Sequence, residues 1–353
     1  MEYRDRDAPV THDGLVFRTY GYNHPQGSCF CDLEYAPESL YTTADPRTIR
    51  EGPQGRYYKF YFDGGLKFAS NSNPPYTIHH RPLDREMVGV RDEQLAWVVR
   101  PDERLKSLMD SGGDPLIEAC VEVVDLVTST STLSPSDLGV FGSLAHGFHH
   151  PGYSDIDLIV YGEKEMGELR EALGELYREG DLRNEFDSWT PAYPPAHWNF
   201  IHLAKSEYGA LQRRKAIYAV YNSGGLGREV KVEFEPVRRW DEIENEYRKT
   251  QRITDLGRVE AIGEVLSVSE GGFMPSVYPV RLEELKAGID CGEVRRIVSY
   301  VEEFRLQLEP GERAFIRGNL ERVERDGSDF YQMSLSYRED YFDQVLKPCR
   351  LLS

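Results

Sequence analysis

Lysine is scarce in this chain. Most of its 42 basic residues are arginine, and they face 60 aspartates and glutamates, leaving a formal net charge of −18. Broad, non-specific nucleic-acid binding needs cations against phosphates, so this balance argues against it while leaving room for a local basic groove. Cysteine is scarce too. Cys29, Cys31, Cys120, Cys291 and Cys349 are odd in number and scattered, which argues against a disulfide framework. No apolar run approaches the ~18–20 residues that a membrane-spanning helix needs. Residues 1–13 are polar and charged, so no signal peptide is expected and the protein reads as cytoplasmic, with no membrane partner. Internal repeats and low-complexity tracts are also missing.

What is present is enough apolar and aromatic material, including 22 Tyr and 15 Phe, to bury sizeable cores over 353 residues. That length suits two or three domains. Residues 1–100 read as a β-rich N-terminal unit, with strand-like runs at 14–22, 28–35, 56–62 and 88–99 separated by Pro, Gly, Asn and Asp clusters. Residues 101–250 open with helices at 102–110 and 114–128. In the second, Leu116, Ala119, Cys120, Val123, Val124 and Val127 recur at helical spacing, Asp114 is placed to cap the N-terminus, and Pro115 takes the first helical position. An α/β rhythm follows: strands at 138–141 and 156–161, a helix at 163–179, a strand at 199–203, a helix at 206–221 and a strand at 229–237. Residues 257–345 carry about five further strands, which suits a small barrel of the oligonucleotide-binding kind or a sandwich.

The chemically informative stretch is Gly142-Ser143-Leu144-Ala145-His146-Gly147, followed by Ser154-Asp155-Ile156-Asp157-Leu158. In a strand, Asp155 and Asp157 point to one face while Ile156 and Leu158 point to the other. Two neighbouring carboxylates are costly without a cation, and one or two carboxylates plus substrate phosphates are what magnesium prefers. Gly142 and Ser143 sit between a strand and a helix, where backbone N–H groups and a hydroxyl can meet a triphosphate and a side chain at the glycine would hinder it. A third carboxylate is sought in Val230-Lys231-Val232-Glu233-Phe234-Glu235. Alternation puts Glu233 and Glu235 on one face. Glu233, flanked by Val232 and Phe234, is preferred over Glu235, which precedes Pro236.

This pattern resembles the polymerase β-like nucleotidyltransferase superfamily: Gly-Ser, about ten residues, Asp-x-Asp, and a later strand carboxylate. With residues 13–17 and 21–25, the stretch 154–162 also resembles a family of predicted archaeal nucleotidyltransferases. The resemblance implies an α+β fold, with a polymerase β-like core between the N-terminal β-rich unit and the C-terminal OB-like barrel. It implies transfer of a nucleoside monophosphate from a nucleoside triphosphate, ATP among the candidates, to an acceptor hydroxyl. Mg2+ would be held by Asp155, Asp157 and Glu233, with Gly142 and Ser143 at the nucleotide. Lys215, in the run Arg213-Arg214-Lys215, is a candidate nucleotide ligand, with a solvated basic helix face as the alternative.

Other constellations read more plainly. His146, His149 and His150 suggest zinc by composition, but a loop that shapes the nucleotide pocket accounts for them better. Gly21-Tyr22-Asn23-His24-Pro25 reads as a structural turn, and the Cys29/Cys31 pair as small strand residues. In the C-terminal part, Tyr278, Arg281, Arg295, Arg296, Tyr300, Arg313, Phe315 and Arg317 interleave as a single-strand binder would need, although glutamates dilute the field. They tilt the acceptor toward RNA. A non-catalytic nucleic-acid or protein-binding module that retains the fold is the alternative to an enzyme.

Overall fold

The computed structural model describes residues 1–188, 199–286, 291–325, 327–337 and 340–351. Two compact units emerge: residues 1–80, 84–183 and 219–247 form the first, and residues 81–83, 184–218 and 248–353 the second. The division differs from the three parts expected at 100 and 250. The N-terminal β-rich segment and the catalytic-type core share one unit, and the helix at 205–215 goes with the barrel.

The first unit begins with an antiparallel sheet: β1 (Ala8–Thr11), β2 (Val16–Thr19), β3 (Ser28–Pro37), β4 (Ile49–Gly52), β5 (Gly55–Lys59), helix α1 (Gly64–Asn71), β6 (Thr77–His80), β7 (Arg85–Arg91) and β8 (Leu95–Val99). Its main path runs β4-β5-β3-β2-β1-β8, and β7 joins β6 to β3. The run expected at 88–99 is broken by a 3-10 turn over Asp92–Gln94, and β1, β4, β6 and α1 had no signal strong enough to announce them. Phe17, Cys29, Cys31, Leu33 and Val90 fill one core of this sheet, so both thiols are buried packing groups.

Helices α2 (Pro101–Met109) and α3 (Pro115–Thr130) follow as expected. Asp114 Oδ1 accepts from the N–H groups of Leu116 (2.8 Å) and Ile117 (3.2 Å), which satisfies two donors that a helix start leaves open. The remaining elements are β9 (Leu138–Val140), α4 (Gly142–His146), β10 (Ile156–Tyr161), α5 (Glu163–Glu179), the two-residue β11 (Arg183–Asn184), β12 (Tyr218–Ser223) and β13 (Arg228–Val237). β13, β10 and β9 lie side by side, with β10–β13 parallel and β10–β9 antiparallel. Ile156, Leu158, Ile159 and Val160 are wholly buried, as a strand covered on both faces should be.

The N-terminal sheet packs directly on the loop after α4. Phe148 lies between Tyr57 (ring centroids 4.7 Å) and Tyr35 (5.0 Å), and a Cβ at Gly52 would stand 2.5 Å from its ring. The turn at residues 21–25 closes the unit from the other side. Tyr22 Oη accepts from Arg238 N–H (2.8 Å), Asn23 Oδ1 from Glu246 N–H (2.7 Å), and the His24 carbonyl from Asn245 Nδ2 (2.8 Å). The His24 ring sits 3.1 Å from the Gly21 carbonyl through Nε2, and its Nδ1 accepts from Phe30 N–H (3.2 Å). The turn reading of this motif therefore has a specific content: it ties the chain start to the segment after β13.

In the second unit, α6 (Lys205–Lys215) ends earlier than the expected 221, because Ala216 takes a left-handed conformation (φ 50°) that stops the helix. Residues 199–203 form no strand. β14 (Thr250–Val265), β15 (Ser276–Lys286), β16 (Val294–Ser299), β17 (Arg313–Arg325) and β18 (Phe330–Leu335) close through β14–β17 pairing into a five-stranded barrel, and β19 (Val345–Pro348) is added on β17. The only parallel pair in the barrel is β16–β18 among the described residues. Tyr278, Ile297, Ile316, Leu320 and Met333 fill its centre. The fold is α+β, with an N-terminal sheet, a central nucleotidyltransferase-type region and a small OB-like barrel.

Two consequences can be measured. Phe148→Ala should lower the unfolding free energy by about 3–5 kcal/mol in urea titration, since it empties the space between two tyrosine rings. Burial lowers the pKa of His24 from 6.5 to about 4, so the folded protein resists a proton that the unfolded chain accepts. Stability should be intact above pH 6.5 and fall as the pH drops from 6.5 toward 4. His24→Asn should flatten that part of the stability–pH curve; an unchanged slope would show that other groups produce it.

Candidate active site

β10 and β13 run parallel in a register that pairs Asp157 with Glu233 and Ile159 with Glu235. Alternation turns Asp157, Glu233 and Glu235 to the same face, so the two strands alone bring three carboxylates together. Their surroundings separate them. Glu235 is buried, and its Oε2 accepts from Arg6 Nη2 at 2.8 Å, whereas Glu233 is half-buried directly beside Asp157 and Lys231 is exposed. Asp155 lies just before β10 and is exposed.

Gly142 adopts φ +62°, and a Cβ built on it would overlap Asp157 Oδ2. The Phe141 N–H donates to the Asp157 carbonyl (3.0 Å), so the Gly-Ser turn and the Asp-x-Asp strand are joined by backbone as well as by close approach. Ser143 is half-buried in α4, which spans only five residues. Its carbonyl accepts from Phe148 N–H (2.9 Å), and Arg104 Nε donates to the Ala145 carbonyl (2.9 Å).

The histidine-rich loop between the two motifs is a scaffold. His150 stacks on Tyr153 (4.3 Å, 9° between planes). Its Nδ1 accepts from Gly152 N–H (3.0 Å), and its own N–H donates to Ser154 Oγ (2.9 Å). Arg228, at the start of β13, donates from Nε to the Pro151 carbonyl (2.9 Å) and from Nη2 to the Ser154 carbonyl (2.6 Å). These bonds hold the residues that deliver Asp155, a role nothing in the sequence pattern of Arg228 announced. His149 Nε2 stands 3.3 Å from Asp114 Oδ2, and the His146 ring packs against Tyr35 (5.7 Å) and Phe148 (5.6 Å). The described contacts of these histidines are thus to Asp114, Tyr35, Phe148 and Tyr153.

Burial raises the pKa of Asp157 from 3.8 to about 6, with Lys59 and Arg6 opposing the shift and Asp155 and Glu34 adding to it. Burial lowers that of His146 to about 4, so the imidazole is neutral at pH 7. Among the described residues no three His, Cys, Asp or Glu side chains form a ready metal cage. Asp155, Asp157 and Glu233 could offer only oxygen atoms to a cation, the ligand type that a hard cation takes.

A cleft beside Gly142 is lined by Arg6, which precedes β1, and by Arg18 and Glu34 of the N-terminal sheet, facing Phe141, Ala145 and His146. That wall was missed from sequence, because the residues lie more than a hundred positions from the motif. Lys215 belongs to the second unit. There it is fully buried, and its Nζ donates to the Glu303 carbonyl at 2.9 Å. Arg214 pairs with Glu312 (2.8 Å) and Arg213 with Asp187 (2.7 Å). A solvated basic face does not describe Lys215, and its ammonium is occupied by a backbone oxygen.

The barrel's interleaved cations are mostly matched by acids. Arg281 pairs with Glu264, Arg313 with Glu283 (2.6 Å), and Arg317 with Asp343 (2.9 Å) and Glu260 (2.9 Å). Tyr278 is core. Arg295 and Arg296 lie 5.3 and 5.2 Å from the Phe330 ring centre.

Residues 124–217 match the family model described as a nucleotidyltransferase domain. The match contains Gly142, Ser143, Asp155 and Asp157 and ends before Glu233. Over 353 aligned residues the chain is 26% identical to the uncharacterized protein MJ1086 of Methanocaldococcus jannaschii, covering 98% of this chain and 99% of that protein. No solved structure matches the chain. The glycine-to-carboxylate packing, the paired strands and the family match lead to one conclusion: this chain carries a nucleotidyltransferase domain of the polymerase β-like superfamily and is a distant full-length relative of an uncharacterized archaeal protein.

Proposed function

We propose that this protein transfers a nucleoside monophosphate from a nucleoside triphosphate to an acceptor hydroxyl, with Mg2+ as cofactor. The observation that carries the reading is the juxtaposition of Gly142, Asp157 and Glu233: a turn with no side chain set against two neighbouring carboxylates on registered strands. Asp155 and Asp157 hold the metal, and Glu233 supplies the third carboxylate. Magnesium, when bound, neutralises phosphate charge and makes the acceptor hydroxyl easier to deprotonate. Gly142 leaves room for a phosphate, and Ser143 contributes a hydroxyl to it. The acceptor oxygen forms a bond to the α-phosphorus, the bond from that phosphorus to the bridging oxygen breaks, and pyrophosphate leaves with the electron pair. The acceptor's proton passes to a nearby base or to solvent. Catalysis then rests on positioning and charge, and no protein nucleophile is needed.

Glu235 has a different task. It neutralises Arg6 within the core, and its neighbour across the strands is Ile159 rather than a carboxylate.

Incubation with each α-labelled nucleoside triphosphate, Mg2+ and total RNA, beside an RNA-free control, tests the reading. Label should be transferred by the wild type, and Asp155→Asn, Asp157→Asn and Glu233→Gln should each cut the rate roughly 10²–10³-fold or more. Full activity in either aspartate variant would sink the metal assignment. Label in RNA identifies an RNA acceptor, whereas label on protein or a small molecule moves the acceptor there. Glu235→Gln should act on stability instead, costing about 3–5 kcal/mol by removing the partner of a buried charge.

A further inference from the structure

The site described above is rich in acid. Asp155, Asp157 and Glu233 belong to it, and Glu34 of the N-terminal sheet lines the cleft beside Gly142. A nucleoside triphosphate brings further negative charge, so a cation from the protein is to be expected near the phosphates. The cations close to the signature loop are mostly committed. Arg6 pairs with Glu235 at 2.8 Å, and Arg18 with Glu34 at 3.4 Å and Asp32 at 3.7 Å. Arg104 and Arg228 donate to backbone carbonyls.

Lys59 is different. It is the last residue of β5, half-buried, and among the described residues it makes no ion pair. It pairs across the strands with Tyr35, and residues directly opposite share a face. Tyr57, two residues earlier, shares that face as well. Tyr35 and Tyr57 are the rings that clasp Phe148 of the signature loop, so Lys59 stands on the side of the sheet turned toward the site. Its Nζ is 5.9 Å from the Tyr35 ring centre and 5.7 Å from that of Tyr61. The two tyrosines hold the ammonium while leaving its donors available. Tyr35 in turn touches His146 of α4, the helix that Gly142 opens.

We infer that Lys59, delivered by the N-terminal sheet, is a direct phosphate ligand of the nucleoside triphosphate, so that the catalytic site is built from two segments far apart in sequence. This rests on the nucleotidyl-transfer reading above. It gives the N-terminal sheet a chemical role and supplies a cation for which the run Arg213-Arg214-Lys215 was only a candidate.

The test is calorimetric binding of each of the four nucleoside triphosphates and the matching monophosphates, with Mg2+, to the full-length wild type, Lys59→Met and Lys59→Arg. Thermal melts confirm that the variants fold. Lys59→Met should weaken triphosphate binding about 10–100-fold, the scale of a lost charge-assisted hydrogen bond, and leave monophosphate binding within about twofold. Lys59→Arg should recover part of the loss, because it keeps the charge. Unchanged triphosphate affinity in Lys59→Met, or equal weakening of mono- and triphosphate, overturns the assignment and makes Lys59 a structural counter-charge. Absence of triphosphate binding in the wild type overturns the nucleotidyl-transfer reading itself, a separate outcome from loss confined to the lysine variant.

Discussion

The approach of the Gly142 backbone to the Asp157 carboxylate sets the terms for the rest of the first unit. No room remains there for a side chain, and the positive φ suits glycine in any case. Because the Phe141 N–H is also bonded to the Asp157 carbonyl, α4 cannot shift without moving β10. Once β10 is placed, parallel pairing with β13 brings Glu233 beside Asp157 through backbone hydrogen bonds alone. Two strands and one turn thus hold a constellation that would be costly to assemble from loops.

Such a constellation works against stability. Asp157 is pushed up to about 6 chiefly by burial, which means that its ionised form is disfavoured in the fold. The molecule answers with arginines taken from distant segments. Arg6 neutralises Glu235 from the chain start, Arg18 offsets Glu34, and Arg228 braces the loop ahead of Asp155. The N-terminal sheet is therefore part of the electrostatic design of the site as well as its packing. Tyr35, Tyr57 and Phe148 carry the packing, and Arg6 and Lys59 carry the charge.

The barrel shows how a strongly acidic chain can be rich in arginine without a broad basic surface. Arg258, Arg281, Arg313 and Arg317 each meet one or more carboxylates. Exposed pairs of this kind add little stability, commonly under about 1 kcal/mol each. They do cancel the field that phosphate attraction would need. Arg295, Arg296 and Arg325 lie over the Phe330 ring.

By itself the sequence determined the elements whose signals are local. Periodicity set α3 and α5, and an apolar run interrupted only by Asp157 set β10; the spacing of turn-bounded strands left barrel and sandwich open, and the β14–β17 pairing decided for the barrel. The spacing of Gly142-Ser143 to Asp155 and Asp157 pointed to the nucleotidyltransferase domain that residues 124–217 match, because that signature lies within one short stretch of chain. Only the tertiary structure decided the rest. That Glu233 pairs with Asp157 while Glu235 meets Arg6, more than two hundred residues away, is visible only in the fold. The surroundings of Lys215 depended on which unit α6 joins. The second wall of the site depended on a sheet that folds back onto Phe148. Side-chain alternation and helical spacing are properties of adjacent residues, whereas a neighbour across a sheet or a buried ion pair exists only once distant segments have been brought together.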